Sequence, residues 1–387
     1  MLSALASAGI WLQVASYFGW PVSTTHSIVG AMIGFGVVVV GYEAIYWDQV
    51  IFIVSSWILS PLMGGILGYY IFTMMRKMIF YNSDPVEATR RLTPFLVFGV
   101  IFILALVFVF EGMHNLKWEV PVTYKIIFAA SLAGIGSFIS YLLVQRMPPS
   151  AMHERPAPAY SPEVISSLEK ARKHLSRAQS NAKGEVQYTT SLLIEEVDQM
   201  LSTVEQKQEF DSSHAEYMKV EKVFSYLQIM SACMMAFAHG ANDVANAIGP
   251  LSAAVAILST GLYAIEAPVP TWALALGGVG IVIGLATWGW RVIETIGKKL
   301  TELTPSRGFA AEFGAAATIV LASRLGLPIS TTHTLVGAVL GVGFARGLGA
   351  INLTTTRDIL ISWIVTVPLG AALAIPVFYL CKLIFGS

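Results

Sequence analysis

The chain has 387 residues, of which 55% are hydrophobic and 12% charged, and its mean hydropathy is +0.66. About a quarter of the residues of a soluble domain are charged, so this composition excludes an ordinary soluble protein and indicates a bilayer as its surroundings. The formal net charge of zero argues against nucleic-acid binding, and the two cysteines, Cys233 and Cys381, indicate neither a disulfide framework nor a metal site.

Apolar segments recur along the chain at lengths near the roughly 20 residues that a helix needs to cross the hydrocarbon core. Several are short or interrupted by glycine and proline, and a broken helix is tolerated in a membrane where its freed backbone faces protein or water. We therefore predict an all-α polytopic membrane protein with re-entrant or broken helices. The candidate segments are Leu2–Phe18, Thr25–Val40, Val50–Met75, Pro94–Phe110, Tyr124–Val144, Phe224–Ala238, Val244–Leu262, Thr271–Trp290, Phe309–Leu325, Thr332–Ala345 and Ile359–Phe385.

One hydrophilic stretch interrupts this pattern, because 22 of the 48 charged residues lie at positions 146–222. Apolar residues at helical spacing predict two amphipathic helices there, the first capped by Ser161. Such a helical hairpin has either a packing or dimer-contact role or a specific regulatory one. The predicted organisation is a first membrane repeat at 1–145, a helical linker at 146–222 and a second membrane repeat at 223–387.

The Lys and Arg content of the loops predicts the orientation, because basic loops stay on the cytoplasmic side of a membrane. Loops 76–93 and 291–307 are basic and are predicted inside, as is the 146–222 linker, whereas loop 111–123 is predicted outside. We expect a multi-pass protein of the cytoplasmic membrane.

An internal repeat is the strongest signal in the sequence. The segment P-V-S-T-T-H-S-I-V-G-A at 21–31 recurs as P-I-S-T-T-H-T-L-V-G-A at 328–338, and S-W-I at 56–58 recurs at 362–364. The loop after the first copy has no Lys or Arg, whereas the loop after the second contains Arg346, so the copies are predicted to face opposite sides of the membrane. Inverted repeats of this kind are typical of secondary transporters, with the substrate near the midplane.

The repeated motif places hydroxyl groups at the start of a helix, where free N–H groups and the helix dipole favour an anion. Two such helix starts facing each other would hold a tetrahedral oxyanion with neutral donors; the alternative is an ordinary helix N-cap. A histidine closes each motif, either as a packing residue or as a phosphate or proton contact. The hydroxyl residues are Ser23, Thr24, Thr25, Ser330, Thr331 and Thr332, and the histidines are His26 and His333.

A second cluster of polar residues, at 239–250, contains Asp243 within apolar sequence. An aspartate at membrane depth costs about 2.5–3.5 kcal/mol on insertion scales unless it has a partner. With Asn242 and Asn246, and with carbonyls exposed by a helix loosened at Gly240, Gly249 and Pro250, it would form an oxygen-rich site for Na⁺. The alternative role for Asp243 is that of a buried aspartate that caps a half-helix. Glu312, in another apolar segment, is a weaker candidate for sodium binding or gating.

Two motifs are absent: the sequence contains neither a G-x-x-x-x-G-K-[ST] phosphate loop nor an H-E-x-x-H zinc motif. An ATP-driven pump and a zinc protease are therefore unsupported, and we predict that the chain is not an enzyme. An ion gradient would have to supply the energy for transport.

The motifs G-A-N-D-V-A-N at 240–246 and P-[VI]-S-T-T-H at 21–26 and 328–333 resemble those of the inorganic phosphate transporter (PiT) family, over essentially the whole chain. The resemblance implies a dimeric inverted-repeat symporter whose coupling ion is Na⁺ in some members and a proton in others. It also implies that the motif hydroxyls contact phosphate and that Asn242, Asp243 and Asn246 contact Na⁺ or phosphate.

One departure from the family pattern concerns the first half of the chain. The family has a G-A-N-D-V-A-N copy upstream of each P-x-S-T-T-H, and here the copy at 240–246 begins 88 positions before Pro328, a spacing that has no room before Pro21. We expect an N-terminally truncated chain rather than a variant that has lost half a site.

The functional hypothesis is phosphate symport with Na⁺ by alternating access. Alternatives of two classes remain. Within the transporter class, a proton-coupled carrier of phosphate or metal-phosphate, or a sulfate permease, would use nearly the same site. From another class, a membrane receptor or scaffold would not transport at all.

Overall fold

A computed structural model describes residues 1–112, 120–146, 162–261 and 269–385, and within these ranges the chain is helical without strands. Side chains at 111–112, 162–166 and 203–214 are not described. The helices are α1 (Leu2–Tyr17), α2 (Thr24–Val39), α3 (Trp47–Met75), α4 (Pro85–Val107), α5 (Val122–Gln145), α6 (Pro162–Asn181), α7 (Glu185–Thr260), α8 (Thr271–Gly284), α9 (Trp290–Glu294), α10 (Pro305–Arg324), α11 (Thr331–Arg346) and α12 (Leu353–Phe385).

Six helical segments of the described chain are long and apolar enough to cross a membrane. This confirms the prediction of an all-α integral membrane protein, although it is fewer than the eleven segments expected from the sequence. Short π-helical turns extend several of these segments beyond the α-helices. The six are Trp47–Phe80, Pro85–Phe110, Val122–Gln145, Ala215–Thr260, Thr271–Leu300 and Leu353–Phe385.

The repeated motif lies at the tips of two helical hairpins, α1–α2 and α10–α11. Helices α1, α2 and α11 have 16 residues each, which gives them about 24 Å of length, less than the roughly 30 Å of hydrocarbon. Each hairpin turns at a glycine with positive φ, 72° at Gly19 and 67° at Gly326, a conformation that favours glycine. Short helices that turn back in this way fit the predicted re-entrant segments.

Each hairpin packs against a long helix from the other half of the chain, α2 on α12 and α11 on α3. Glycines make this approach close: a Cβ at Gly30 or Gly34 would overlap the carbonyl oxygens of α12, and a Cβ at Gly337 or Gly341 would overlap those of α3. Small residues at helix contacts are characteristic of packing in membranes, where close backbone approach provides the attraction. The two contacts are equivalent, because they involve corresponding positions of the two repeats.

The described chain divides into two compact units. The first comprises Met1–Arg76, Pro94–Tyr141 and Phe224–Ser387 and contains both hairpins. Its core includes a cluster of small buried residues from α1, α2 and α12: Ala4, Ala8, Ile28, Ala31 and Ala374.

The second unit comprises Lys77–Thr93 and Leu142–Val223. Polar contacts hold it together: the Arg90 guanidinium donates to Glu87 and to the carbonyl oxygen of Gln145, each at 3.1 Å. Arg172 of α6 forms a 2.7 Å ion pair with Asp198 of α7. Both predicted linker helices are present as α6 and the beginning of α7, but the predicted cap Ser161 and most of loop 111–123 lie outside the described residues.

Helix α7 corrects one expectation, because it runs without a break from Glu185 to Thr260. The sequence analysis predicted separate segments on either side of a helix loosened at Gly240, Gly249 and Pro250. A proline removes one N–H donor and frees one carbonyl, and a membrane helix tolerates this when its flanking turns are intact. The site at 240–246 is therefore presented on a regular helix and does not use carbonyls exposed by a break.

Replacing Gly341 by alanine is expected to reduce the free energy of unfolding by about 1–3 kcal/mol, because the added Cβ would overlap the Gly65 carbonyl oxygen. The matched control is Gly134→Ala in α5, where no described atom lies within 4 Å of the added carbon. Thermal unfolding in detergent, followed by circular dichroism, measures both variants. Equal melting temperatures for Gly341→Ala and Gly134→Ala would contradict the close approach of α11 and α3.

Candidate functional site

The hairpin tips start α2 and α11 with the same cap. Ser23 and Ser330 are buried, have extended backbone conformations, and each accepts a hydrogen bond on its side-chain oxygen. The donors are the backbone N–H groups of His26 and His333, each at 3.2 Å. The N-cap interpretation therefore holds for both serines, whose hydroxyl hydrogens are left to donate elsewhere.

The Asp243 carboxylate joins the two hairpin tips. Its Oδ2 atom accepts hydrogen bonds from the hydroxyl of Thr24, at 2.9 Å, and from the hydroxyl of Thr331, at 2.8 Å. Asp243 is 9% exposed, so its charge is largely removed from water. One buried carboxylate of α7 thus binds equivalent residues of both repeats.

Two neighbours on α7 complete the surroundings of this carboxylate. His239 Nε2 lies 3.0 Å from Oδ2, and Asn242 Nδ2 donates to Oδ1 at 2.9 Å. The histidine lies one helical turn before Asp243, and this i, i+4 spacing was the signal for it in the sequence. The sequence analysis assigned it no role.

Asn246 extends the cluster to the first hairpin. Its Nδ2 atom donates to the hydroxyl oxygens of Thr24, at 3.2 Å, and Thr25, at 3.1 Å. The repeat-related Thr332 is half-buried, and its hydroxyl forms no hydrogen bond with a described residue. The predicted residues Asn242, Asp243 and Asn246 are thus brought together with the motif threonines.

The cluster contains one carboxylate, three amide or imidazole side chains and several hydroxyls. No Lys or Arg in the described part of the chain pairs with Asp243, whose ion-pair partner is His239. The described residues also contain no group of three or more His, Cys, Asp or Glu side chains that would hold a metal ion. The donor set is therefore unlike a transition-metal site, and its oxygens suit a hard cation such as Na⁺.

His26 and His333 lie in a row of four aromatic rings. The His26 ring centroid is 3.6 Å from that of Trp57 and 4.2 Å from that of His333, which is 3.6 Å from that of Trp363. Both ring nitrogens of His26 and the Nε2 of His333 are buried without a hydrogen-bond partner among the described residues. The two tryptophans were visible in the sequence as the repeated S-W-I, but their contact with the histidines was not.

The same S-W-I segments hold the hairpin tips across the repeats. Ser56 Oγ lies 2.8 Å from the carbonyl oxygen of Pro328 and 2.6 Å from that of Ile53 in its own helix, so its one hydrogen is shared between them. Trp363 Nε1 donates to the carbonyl oxygen of Pro21 at 3.0 Å. Each motif proline is thus fixed by a residue of the other half of the chain.

Glu312 lies in a different place from the cluster. It is on α10, where Ser231 of α7 donates a short hydrogen bond to its carboxylate. Neither Asp243 nor the motif hydroxyls are hydrogen-bonded to it. Its assignment to sodium binding or gating remains a prediction.

A model of the phosphate transporter family matches residues 1–374 of the chain. The chain belongs to this family. This result confirms the family that the G-A-N-D-V-A-N and P-x-S-T-T-H motifs resembled.

Relatives within the phosphate transporter family match nearly the whole chain. A putative phosphate permease of Chlamydia pneumoniae is 44% identical over 100% of this chain and 80% of its own length. The Arabidopsis thaliana protein named inorganic phosphate transporter 2-1, chloroplastic, is 42% identical over 97% of this chain and 57% of its own length. Because the family consists of transporters, the prediction that the chain is not an enzyme is confirmed.

A solved structure of the family has the same fold. It is described as the sodium-dependent phosphate transporter, is 36% identical, and aligns with a TM-score of 0.74 over 99% of this chain and 79% of its own. The all-α membrane fold predicted from the sequence is therefore confirmed for this member of the phosphate transporter family.

Replacing Trp363 by phenylalanine is expected to reduce the free energy of unfolding by about 1–2 kcal/mol, because the Pro21 carbonyl oxygen loses its indole donor. Trp57→Phe is the repeat-related control: its indole N–H has no partner among the described residues, so it has no bond to lose. Chemical unfolding in detergent, followed by circular dichroism, compares them. A larger decrease in the free energy of unfolding for Trp57→Phe than for Trp363→Phe would rule out the proposed importance of the bond to Pro21.

Proposed function

We propose that this member of the phosphate transporter family is a secondary active symporter that carries inorganic phosphate with Na⁺ by alternating access. The observation that carries the proposal is the Asp243 carboxylate, which accepts hydrogen bonds from Thr24 and Thr331 at the tips of both hairpins. The solved relative described as a sodium-dependent phosphate transporter supports Na⁺ as the coupling ion.

Phosphate suits the hairpin tips because they combine two helix N-termini with neutral hydroxyl donors. Neutral donors hold an anion without the deep charge-pair minimum that would slow its release. Thr332 is well suited to contact phosphate directly, since its half-buried hydroxyl has no described partner. The proposed phosphate-binding residues are Ser23, Thr24, Thr25, Ser330, Thr331 and Thr332.

Na⁺ suits the α7 part of the cluster, where Asp243, Asn242 and Asn246 supply side-chain oxygens. The hydroxyls of Thr24 and Thr331 donate to the carboxylate. With a cation on the carboxylate, the lone pairs of these hydroxyls can turn to the cation, and their hydrogens become available to phosphate. The same two threonines thus serve either ion.

Electrostatics explains why the two ions would bind together. Two like charges about 4 Å apart at an effective dielectric constant of 20 repel by about 4 kcal/mol. Without a bound cation, the negative charge of Asp243 would therefore oppose phosphate at the neighbouring hydroxyls, and Na⁺ would reduce this opposition. This is thermodynamic coupling between the two ions, and it acts in both directions.

The remaining predictions about the architecture are part of this proposal. Repeat-related contacts, α2 on α12 and α11 on α3, support two halves of opposite orientation, at 1–145 and 223–387. We further propose a homodimer in the cytoplasmic membrane with the 146–222 linker inside, and a packing role for His26 and His333 between two indoles.

Uptake of labelled phosphate into proteoliposomes tests the function. We expect uptake to require an inward Na⁺ gradient and to change little between two pH values. Uptake that is independent of Na⁺ and increases at low external pH would identify a proton-coupled carrier, and competition by sulfate would identify a sulfate permease. The absence of uptake by a stably folded protein would favour a receptor or scaffold.

The substitution Asp243→Asn is expected to raise the Na⁺ concentration needed for half-maximal uptake by about tenfold or more, because a neutral amide attracts the cation less strongly. Asp358→Asn is the matched control, since that exposed carboxylate pairs with Arg357 on the surface. Both are measured as phosphate uptake against Na⁺ concentration. An unchanged Na⁺ dependence in Asp243→Asn would remove Asp243 from the sodium site.

A further inference from the structure

A cavity of about 250 Å³ opens beside the Asp243 cluster. Its walls come from the end of α4, the middle of α7 and the tip of the α10–α11 hairpin. Asn242 is part of the wall, and its side-chain amide donates to the Asp243 carboxylate. Pro328, at the start of the second motif, is also part of it. The cavity therefore adjoins both the Asp243 cluster and the tip of the second hairpin.

The described lining is apolar apart from a few groups, and Arg324 is the charged residue among them. Arg324 ends α10 and is exposed, and its guanidinium carbon lies 3.5 Å from the centroid of the Phe110 ring. None of the described carboxylates pairs with it, and its N–H donors form no hydrogen bond with a described residue. A cation–π contact of this kind orients the guanidinium without neutralising its charge.

Such a charge has a large effect in a cavity with apolar walls. Low-dielectric walls focus the field of a charge into the opening and raise the local concentration of ions of opposite sign. A guanidinium also matches the oxygen geometry of phosphate, with which it forms paired hydrogen bonds. At the binding cluster itself, by contrast, the donors are neutral.

We propose that Arg324 is the residue that draws phosphate into this cavity and thereby sets the affinity and anion preference of transport. The anion pairs with the guanidinium first and then passes Asn242 to the neutral hydroxyls of the hairpin tips. Placing the positive charge in the cavity wall and not at the cluster attracts the anion without trapping it. This inference rests on the proposed transport function, and two experiments separate them.

The first experiment measures the electrostatic potential of the cavity without any transport. Ser323, a half-buried lining residue, is replaced by cysteine in a chain in which Cys233 and Cys381 are replaced by alanine. The rates of labelling by an anionic sulfonatoethyl and a cationic trimethylammonioethyl methanethiosulfonate are compared. Arg324→Gln is expected to lower the anion-to-cation rate ratio by about tenfold, whereas Arg324→Lys retains most of it.

The second experiment measures phosphate uptake against phosphate concentration. Arg324→Gln is expected to raise KM about three- to tenfold, while the maximal rate changes less than twofold, because the arginine acts before the binding cluster. The wild-type KM increases with ionic strength, and that of Arg324→Gln changes little. Arg357→Gln, which removes an equal charge outside the cavity wall, leaves KM unchanged.

An unchanged labelling ratio in Arg324→Gln would overturn the proposal, as would an equal KM increase in Arg357→Gln. A merely structural role would lower the maximal rate of both Arg324→Gln and Arg324→Lys and leave the labelling ratio unaffected. If the wild-type protein transports no phosphate but the ratio still depends on Arg324, the proposed transport function fails and the anion-attracting cavity stands.

Discussion

The structure depends on one buried carboxylate. A charge removed from water must be compensated by hydrogen bonds, or its desolvation would be too costly for the fold. Asp243 is compensated by donors from three places: its own helix, the first hairpin and the second hairpin. Because the donors come from both repeats, the requirement to compensate one charge also brings the two hairpin tips together. The site is thus assembled by the same hydrogen bonds that a coupling cation would rearrange.

Close helix packing is what allows those tips to meet. Glycines on α2 and α11 let each short helix approach the backbone of a long helix from the other half of the chain. The capping serines satisfy N–H groups within each tip, and the S-W-I segments bind the tips to the opposite repeat. Short polar helix ends deep in an apolar protein would otherwise leave backbone groups unsatisfied. The same combination of close packing and hydrogen bonding therefore stabilises the hairpin tip in each of the two repeats.

Charge is distributed unevenly around the polar cluster of the first unit, and this would give the two proposed ions different surroundings. The single carboxylate of the cluster lies beside neutral donors, which favours a cation and an anion bound together over either alone. Among the described residues that line the neighbouring cavity, the charged side chain is a cation held on an aromatic ring. Under the proposed mechanism, an anion would be attracted at a distance from the binding cluster, and the cluster itself would remain able to release it.

The amino-acid sequence was enough to predict an all-α membrane protein of the phosphate transporter family and to indicate the repeated motif as a candidate site, because long apolar runs and repeated letters are local properties. It also indicated Asn242, Asp243 and Asn246 as candidate members of the polar cluster. It did not determine that Thr24 and Thr331, 219 and 88 positions from Asp243, bind the same carboxylate oxygen. Nor did it separate Glu312 from this cluster, place two histidines between indoles, or keep α7 unbroken through Pro250. Only the tertiary structure decided these points, because they depend on which helices pack together, and a contact between distant segments leaves no local pattern in the chain.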